Sequence, residues 1–397
     1  MNKSVAIATF TFIPDYNGVA LATYNLFESL YEDHNDITII TSKRGRPEKT
    51  DKYKIVEFDI AGSGVAGNPF TGETANYVRY LEESAFDIIY FICWHSWPAD
   101  LALPVLDKLK CCKVLVSHGV SNHSLNILNP RSLYNWLKWQ PYFNRMDKAM
   151  QLFDHVVFLS DRIDNDRMYD RKLAYKTGLK CCSVIPNSTS FETLINRDVV
   201  ATHFARLRKE IIENNSFIVL NVSNFEPIKN QQLTLACFME AGIDNSVMIF
   251  IGSGFNRTSD NLMKNYEKMK GTNKYPGRVI FLEALSREEI FAWYLVSDLF
   301  LLTSRSEVQP LVLLDALYTN LSYIATDTGC IREMKGGVAL SDKNAIVEQI
   351  KSAGKQKTVT GNHTSTAEKL QQLNPLAGKA LFARRHVALL RELFHEN

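Results

Sequence analysis

The chain has 397 residues, 46% of them hydrophobic, with 45 basic and 43 acidic side chains and a formal net charge of +2. That length fits two domains of about 150–200 residues better than one, and the hydrophobic content excludes a disordered chain. The near balance of charge excludes a dedicated nucleic-acid binder, which carries a strong basic excess.

No apolar run approaches the roughly 18–20 residues of a membrane-crossing helix. The opening MNKSVAIATFTF runs straight into a strand, with no cleavage region of a secretory leader. Seven cysteines include the adjacent pairs Cys111–Cys112 and Cys181–Cys182 but no C-x-x-C. That pattern predicts a reduced, cytoplasmic chain without a zinc site.

A first strand is expected over 4–12, then a loop from Ile13 to Val19 and a helix from about Ala20 to Tyr31. Asn17–Gly18 is a turn signal, and Gly18 would let the backbone approach a ligand closely. Strands follow at Ile37–Ile40 and Val56–Ile60, and four glycines between Ala61 and Gly72 predict a flexible loop near the site. Phe86–Cys93 is a buried strand ending in Trp94-His95-Ser96-Trp97, and Val114–Val116 ends in Ser117-His118-Gly119. Histidines at such strand ends are candidates for ligand contact, His118 above His95 and His123.

Residues 131–153 interleave Tyr134, Trp136, Trp139, Tyr142 and Phe143 with Arg131, Lys138, Arg145 and Lys148. Such a mixture suits either a helical layer buried on the sheet or contact with a membrane interface and a lipid-linked acceptor. Pro141 is expected to break it into two short helices. Strands follow at His155–Leu159 and Ser183–Ile185. Between them Asp164-Asn165-Asp166 matches a D-x-D pattern but sits in a charged run, so it is taken as a solvated helix start; no metal is predicted.

A charged helical connection over 190–215 opens the second half. Phe217–Val222 is an apolar strand, followed by Ser223 to Asn230 with Asn224 and Lys229. Val247–Ile251 ends in Gly252-Ser253-Gly254, and Val279–Leu282 leads into Glu283. Ser286 and Glu289 form a capping box. Leu299–Leu302 is a buried strand; Glu307 lies in the loop beyond it, Pro310 at a helix start, and Asp315 roughly one and a half turns in. Ser322–Ala325 is the next strand. Residues 354–366 are polar and rich in Gly, Thr and Ser, which predicts a mobile loop; a final helix is expected over 376–395. Helix N-termini beyond parallel strands hold anions, and carboxylates accept paired hydrogen bonds from vicinal hydroxyls. A ligand with a phosphate centre and a sugar at each end suits that combination.

SEVQPLVLLDAL resembles the Glu-x7-Glu segment of retaining GT-B glycosyltransferases, in particular glycosyltransferase family 4, and ATDTGCIRE resembles the family's A-T-D-x-G-G-x-x-E. Ser117-His118-Gly119, Ile-Pro-Asn-Ser at 185–188, the Lys229 loop and Gly252-Ser253-Gly254 match further segments. The resemblance implies an α/β, GT-B fold: two doubly wound Rossmann-like domains facing across a cleft. The first would span 1–190, with the helix over 376–397 returning to it, and the second 191–375. It implies transfer of a sugar from a UDP- or GDP-sugar to a glycan or lipid-linked acceptor, without metal or other cofactor, and with retention at the anomeric carbon. Cell-envelope polysaccharide synthesis is the family's habit, which would place the chain at the inner face of the cytoplasmic membrane.

By the same resemblance, Glu307 and His118 orient the donor sugar and Asp315 the ribose, and the leaving phosphate itself deprotonates the acceptor. Lys229 with Gly18 serves the diphosphate, while Gly252, Gly254, Glu283 and Glu333 line the donor site. Four positions depart from the family pattern. Asp315 stands for its second Glu, Asn224 for an Arg beside the diphosphate, Glu283 for a Gly, and Gly18 is one glycine where two are usual. Arg305 or Arg332 could replace the lost cation. Two other readings stay open: an epimerase or hydrolase acting on nucleotide-sugars, and a catalytically silent scaffold of the same fold.

Overall fold

The computed structural model describes residues 3–31, 36–46, 52–65, 67–120, 130–189, 191–210, 216–271, 276–360, 371–374 and 377–395. His123 lies outside them. The chain divides into two compact units: Met1–Asn187 with Ala380–Asn397, and Ser188–Lys379.

The first unit carries β1 (Val5–Ala8), β2 (Ile37–Ser42), β3 (Lys54–Phe58), β4 (Ile60–Ala61), β5 (Thr71–Gly72), β6 (Ile88–Ile92), β7 (Cys112–Val116), β8 (His155–Phe158) and β9 (Cys182–Val184). Seven of them form one parallel sheet in the order β3-β2-β1-β6-β7-β8-β9. β4 and β5 pair antiparallel beside it, so the stretch expected as one flexible loop holds a small ribbon. Their tight approach explains one of its glycines: a Cβ on Gly72, at φ +92°, would lie 2.1 Å from the Asp59 carbonyl oxygen.

The second unit carries β10 (Phe217–Val222), β11 (Ser246–Gly252), β12 (Arg278–Glu283), β13 (Leu299–Leu302), β14 (Tyr323–Thr326) and β15 (Gly337–Leu340), all parallel, in the order β12-β11-β10-β13-β14-β15. The apolar strands are continuous because both faces are covered. Along β10, Ile218 and Leu220 join one core with Phe291 and Phe204, while Phe217 and Val219 join the other with Phe238 and Ile346. Period-two alternation thus feeds two cores rather than one core and water.

Both sheets reverse direction once, between β1 and β6 and between β10 and β13. At such a reversal the flanking connections leave to opposite faces, which opens a crevice at the strands' C-terminal ends.

Three local expectations need correction. The helix Pro130–Phe143 runs through Pro141, and the chain breaks at Asn144–Arg145 before a short helix at Met146–Met150. Proline two residues from a helix end removes one of the last hydrogen bonds, which the end tolerates. Helix Lys343–Thr360 covers the first half of the expected mobile loop; residues 361–366 lie outside the described residues. Gly354 is there for packing, since a Cβ on it would meet Ile243 Cδ1 at 2.7 Å. Asn17–Gly18 is a helix start, not a turn: Gly18–Tyr31 is helical, and Asn17 Oδ1 accepts the Ala20 N–H at 3.0 Å.

Candidate active site

Lys229 and Glu307 meet at the reversal of the second sheet. Lys229 closes a short 3-10 turn after β10, and Glu307 lies in the loop after β13. Lys229 Nζ donates to Glu307 Oε1 at 2.8 Å. The two loops are also tied through backbone: the Arg305 N–H donates to the Ile228 carbonyl at 2.8 Å, and Thr303 Oγ1 to the Asn230 carbonyl at 3.0 Å. Beneath them Asn221, buried at the end of β10, donates to the Leu301 carbonyl at 2.7 Å. Glu307 is only 9% exposed, and the Lys229 ammonium compensates the carboxylate charge that burial would otherwise penalise.

The loop after β14 holds Glu307 from the other side. The Glu307 N–H donates to Thr328 Oγ1 at 3.2 Å, and the Cys330 N–H to the Val308 carbonyl at 2.8 Å. Gly329 packs against this backbone in a left-handed conformation, φ +56°. Thr328 and Gly329 lie within ATDTGCIRE, but their hold on Glu307 is a contact between loops that spacing cannot show.

Arg305 is exposed and makes no ion pair among the described residues, whereas Arg332 pairs with Asp327. Of the two cations that could replace the missing arginine, Arg305 is therefore the available one, and its backbone is bonded beside Lys229. Asn224 itself is exposed; its carbonyl accepts from Gln231 Nε2 at 2.7 Å. Gly252 is needed sterically, because a Cβ there would lie 2.5 Å from the Phe225 ring. Gly254 has room, with Glu283 Oε2 3.9 Å from the Cβ position. Glu283 ends β12 and accepts the Phe255 N–H, so its side chain fastens the glycine loop. Glu333 is exposed on a 3-10 turn.

Asp315 is 5% exposed and accepts from Thr189 Oγ1 at 2.6 Å. The expected ribose carboxylate thus has one oxygen engaged by the chain's own connecting segment, a contact the helix pattern did not show. Pro310 caps helix Leu311–Tyr318 without a side-chain hydrogen bond, and of the first-turn N–H groups that of Leu313 donates to the Pro310 carbonyl at 3.1 Å; the helix start still presents its positive dipole end to an anion.

In the first unit, Gly18 is exposed with nothing within 4 Å of its Cβ position. His118 follows β7 and is held by its neighbours: Ser117 Oγ donates to buried Asp170 and accepts the Gly119 N–H at 3.0 Å. Burial pulls the His118 imidazole down to about 4, so it is neutral at pH 7. His95 lies after β6 at φ +56°, with the rings of Trp139 and Tyr142 each 4.5 Å away. Tyr142 OH donates to Asp100 Oδ1 at 2.7 Å and accepts the His95 N–H at 3.1 Å. Sequence reading missed Asp100 because its partner Tyr142 lies 42 residues away, a contact that local spacing cannot show.

Burial raises the Asp100 carboxyl to about 7, against the opposing Tyr142 hydrogen bond and Arg145 charge. A raised acid stabilises the fold fully below its unfolded value near 4, and this is lost as pH rises through 7. Between pH 6.5 and 8, the thermal midpoint of the wild-type chain should therefore fall more steeply than that of Asp100→Asn. Parallel profiles in a melting series would contradict the assignment. That window avoids His118, whose lowered value acts in the opposite sense below about 6.5.

Residues 204–357 match the family model for glycosyl transferases group 1. The chain is 20% identical to the alpha-monoglucosyldiacylglycerol synthase of Acholeplasma laidlawii over 99% of its own length and 98% of that protein's. Its fold is that of sucrose-phosphate synthase from Thermosynechococcus elongatus (TM-score 0.68, 14% identity, 100% of both chains). It is similarly that of Anabaena HepE in complex with UDP (TM-score 0.65, 15% identity, 98% of this chain and 100% of that one). The chain therefore has the GT-B fold, and residues 204–357 of it form a glycosyl transferases group 1 domain.

For a GT-B glycosyltransferase the arrangement around Lys229 is chemically apt. An ammonium has three N–H donors, so Lys229 can hold Glu307 and a phosphate oxygen together. Glu307 retains an oxygen to accept from a sugar hydroxyl. Among the described residues, no group of His, Cys, Asp and Glu could hold a metal ion.

Proposed function

We propose that this chain is a glycosyltransferase that moves glucose from UDP-glucose to a lipid acceptor of the diacylglycerol type, with retention and without a metal. The carrying observation is the Lys229–Glu307 ion pair across the reversal of the second sheet. It sets a cation for a departing diphosphate beside a carboxylate for a sugar, the two demands of glycosyl transfer. The helix start at Pro310 and the Arg305 guanidinium add to the anion's surroundings. The donor choice is supported by HepE, whose structures hold UDP and UDP-glucose. The acceptor choice is supported by the name of the Acholeplasma relative.

Surface chemistry agrees with a lipid acceptor. Helix Pro130–Phe143 buries Trp139 and Phe143 but exposes Leu133, Tyr134 and Leu137, the last two at 65% and 56%. Arg145 and Lys148, also exposed, follow directly. Such a face suits peripheral contact with an anionic bilayer. The protein should sediment with phosphatidylglycerol vesicles at low salt, and Leu137→Glu should abolish this; wild-type protein left in the supernatant would count against membrane contact. Among the described residues no helix is long and apolar enough to cross a membrane.

Radiolabelled UDP-glucose with vesicles containing diacylglycerol tests the function. A labelled glucolipid with the donor's anomeric configuration is expected. Donor consumed equally without acceptor would instead indicate a hydrolase or epimerase. Asp315, engaged by Thr189, keeps the silent scaffold as a second reading; folded protein that neither binds nor consumes any nucleotide-sugar would support it. Arg305→Ala is expected to weaken UDP binding about tenfold, since charge-assisted contacts to phosphate are the stronger ones; unchanged affinity in a titration would remove Arg305 from the site.

A further inference from the structure

Asp170 is 1% exposed, in the first turn of helix Tyr169–Thr177 of the first unit. Side chains from two other segments converge on its Oδ2. Trp94 Nε1, from the loop after β6, donates to it at 3.1 Å, and Ser117 Oγ, from the loop after β7, donates to the same oxygen. The Val120 N–H donates to the Arg167 carbonyl at 2.9 Å, which ties the second loop again to the segment that opens this helix.

The loop after β6 depends on such a hold. Cys93 at φ +69° and His95 at φ +56° flank Trp94 in the left-handed region, which side chains adopt only where their surroundings impose it. Asp170 fixes the Trp94 ring between them. The Tyr142 hydroxyl takes the His95 N–H, and Ser96 Oγ donates to the Cys93 carbonyl at 2.8 Å. In the loop after β7, Ser117 passes the constraint on: its hydroxyl also accepts the Gly119 N–H at 3.0 Å, which closes the turn around His118.

β6 is the strand at which the first sheet reverses, and β7 is its neighbour. The two loops therefore stand at the end of the sheet where a doubly wound fold receives its ligand, and backbone strain of this kind concentrates at such places. Burying a carboxylate costs stability that an apolar side chain would not; what Asp170 contributes is the joint placement of two strand-end loops. Resting on the transferase reading above, we propose that Asp170 is a positioning residue for sugar transfer, a single buried acceptor that fixes the loops of His95 and His118 against each other.

Turnover of UDP-glucose with vesicles containing diacylglycerol, together with UDP affinity by titration, tests this in Asp170→Leu, Asp170→Asn and Ser117→Ala below their unfolding transitions. Leucine keeps the forked shape without an acceptor. Asparagine restores one oxygen, which can take both bonds because both converge on Oδ2. Asp170→Leu should lower kcat and kcat/KM together by at least about tenfold, the signature of lost positioning rather than lost binding. UDP affinity should hold, since the nucleotide is assigned to the second unit. Asp170→Asn should stay within about threefold of wild type. Ser117→Ala should lose at least about fivefold, and adding it to Asp170→Leu should cost little more, as for groups acting through one another. Should Asp170→Leu not fold, Ser117→Ala and Trp94→Phe each remove one donor and carry the same expectation.

Wild-type kcat in Asp170→Leu beside a lowered thermal midpoint, or in both single-donor variants where it does not fold, makes Asp170 a packing residue and overturns the proposal. So does a loss that asparagine leaves unrelieved, or one shared by UDP affinity. In each of these cases the turnover of the wild type leaves the transferase reading standing. Wild-type protein that does not turn over UDP-glucose overturns both.

Discussion

Replacing Lys229 or Glu307 with alanine is expected to lower sugar transfer by at least about two orders of magnitude, with the fold intact. Groups placed where charge develops commonly contribute that much each. Lys229 is part exposed, with a side chain at 26%, and sits on a short turn, so little packing is lost with it. Because the two side chains share one hydrogen bond, their effects should not add. The double variant should be scarcely worse than the more damaged single one, as expected for groups acting as a unit. Glu307→Gln keeps shape and loses charge, and should remain within about tenfold of Glu307→Ala. Steady-state rates of the four variants, with their thermal midpoints, decide this; near-normal turnover in both single variants would sink the site.

Gly329→Ala should be the most damaging change at a residue expected to touch no substrate. An added Cβ would lie 2.2 Å from the Val308 carbonyl oxygen and 2.5 Å from that of Glu307, with φ already at +56°. Both obstacles are backbone, so the Glu307 loop itself must shift. A displacement on the order of 1 Å at a positioned group can cost about a hundredfold in rate, and strain of this kind about 1–3 kcal/mol in stability. A fall of tenfold or more in kcat, with UDP affinity held, is expected. Gly18→Ala is the informative contrast: its Cβ would meet nothing within 4 Å of protein. Stability should hold there, and any loss of activity would report the approach of a ligand. Gly329→Ala with wild-type turnover would show that Glu307 tolerates movement of its loop.

Much of this was legible in the chain because parallel sheets announce themselves as short apolar runs, and β10 to β14 follow such runs closely. Lys229 and Glu307 could be picked out because each lies in a short loop just past a strand end, where the fold leaves backbone and charge free. What spacing could not supply was contact between distant segments. Thr328 supports Glu307 from another loop, and Thr189 engages Asp315 from the connecting segment. Two local misreadings had a common origin. Gly354 and Pro141 were taken as interruptions, yet one glycine serves close packing and one proline sits where a helix end forgives it.

The central claim is that the second unit binds a nucleotide-sugar at Lys229 and Glu307. Thermal unfolding with UDP, GDP, ADP, CMP and their common sugars tests it without an acceptor. Ligand at about 100 times its dissociation constant adds roughly 2.7 kcal/mol, enough to raise the midpoint by several degrees. The prediction is a rise with UDP and UDP-glucose that shrinks in Lys229→Ala. Folded protein whose midpoint moves with none of the nucleotides would contradict it.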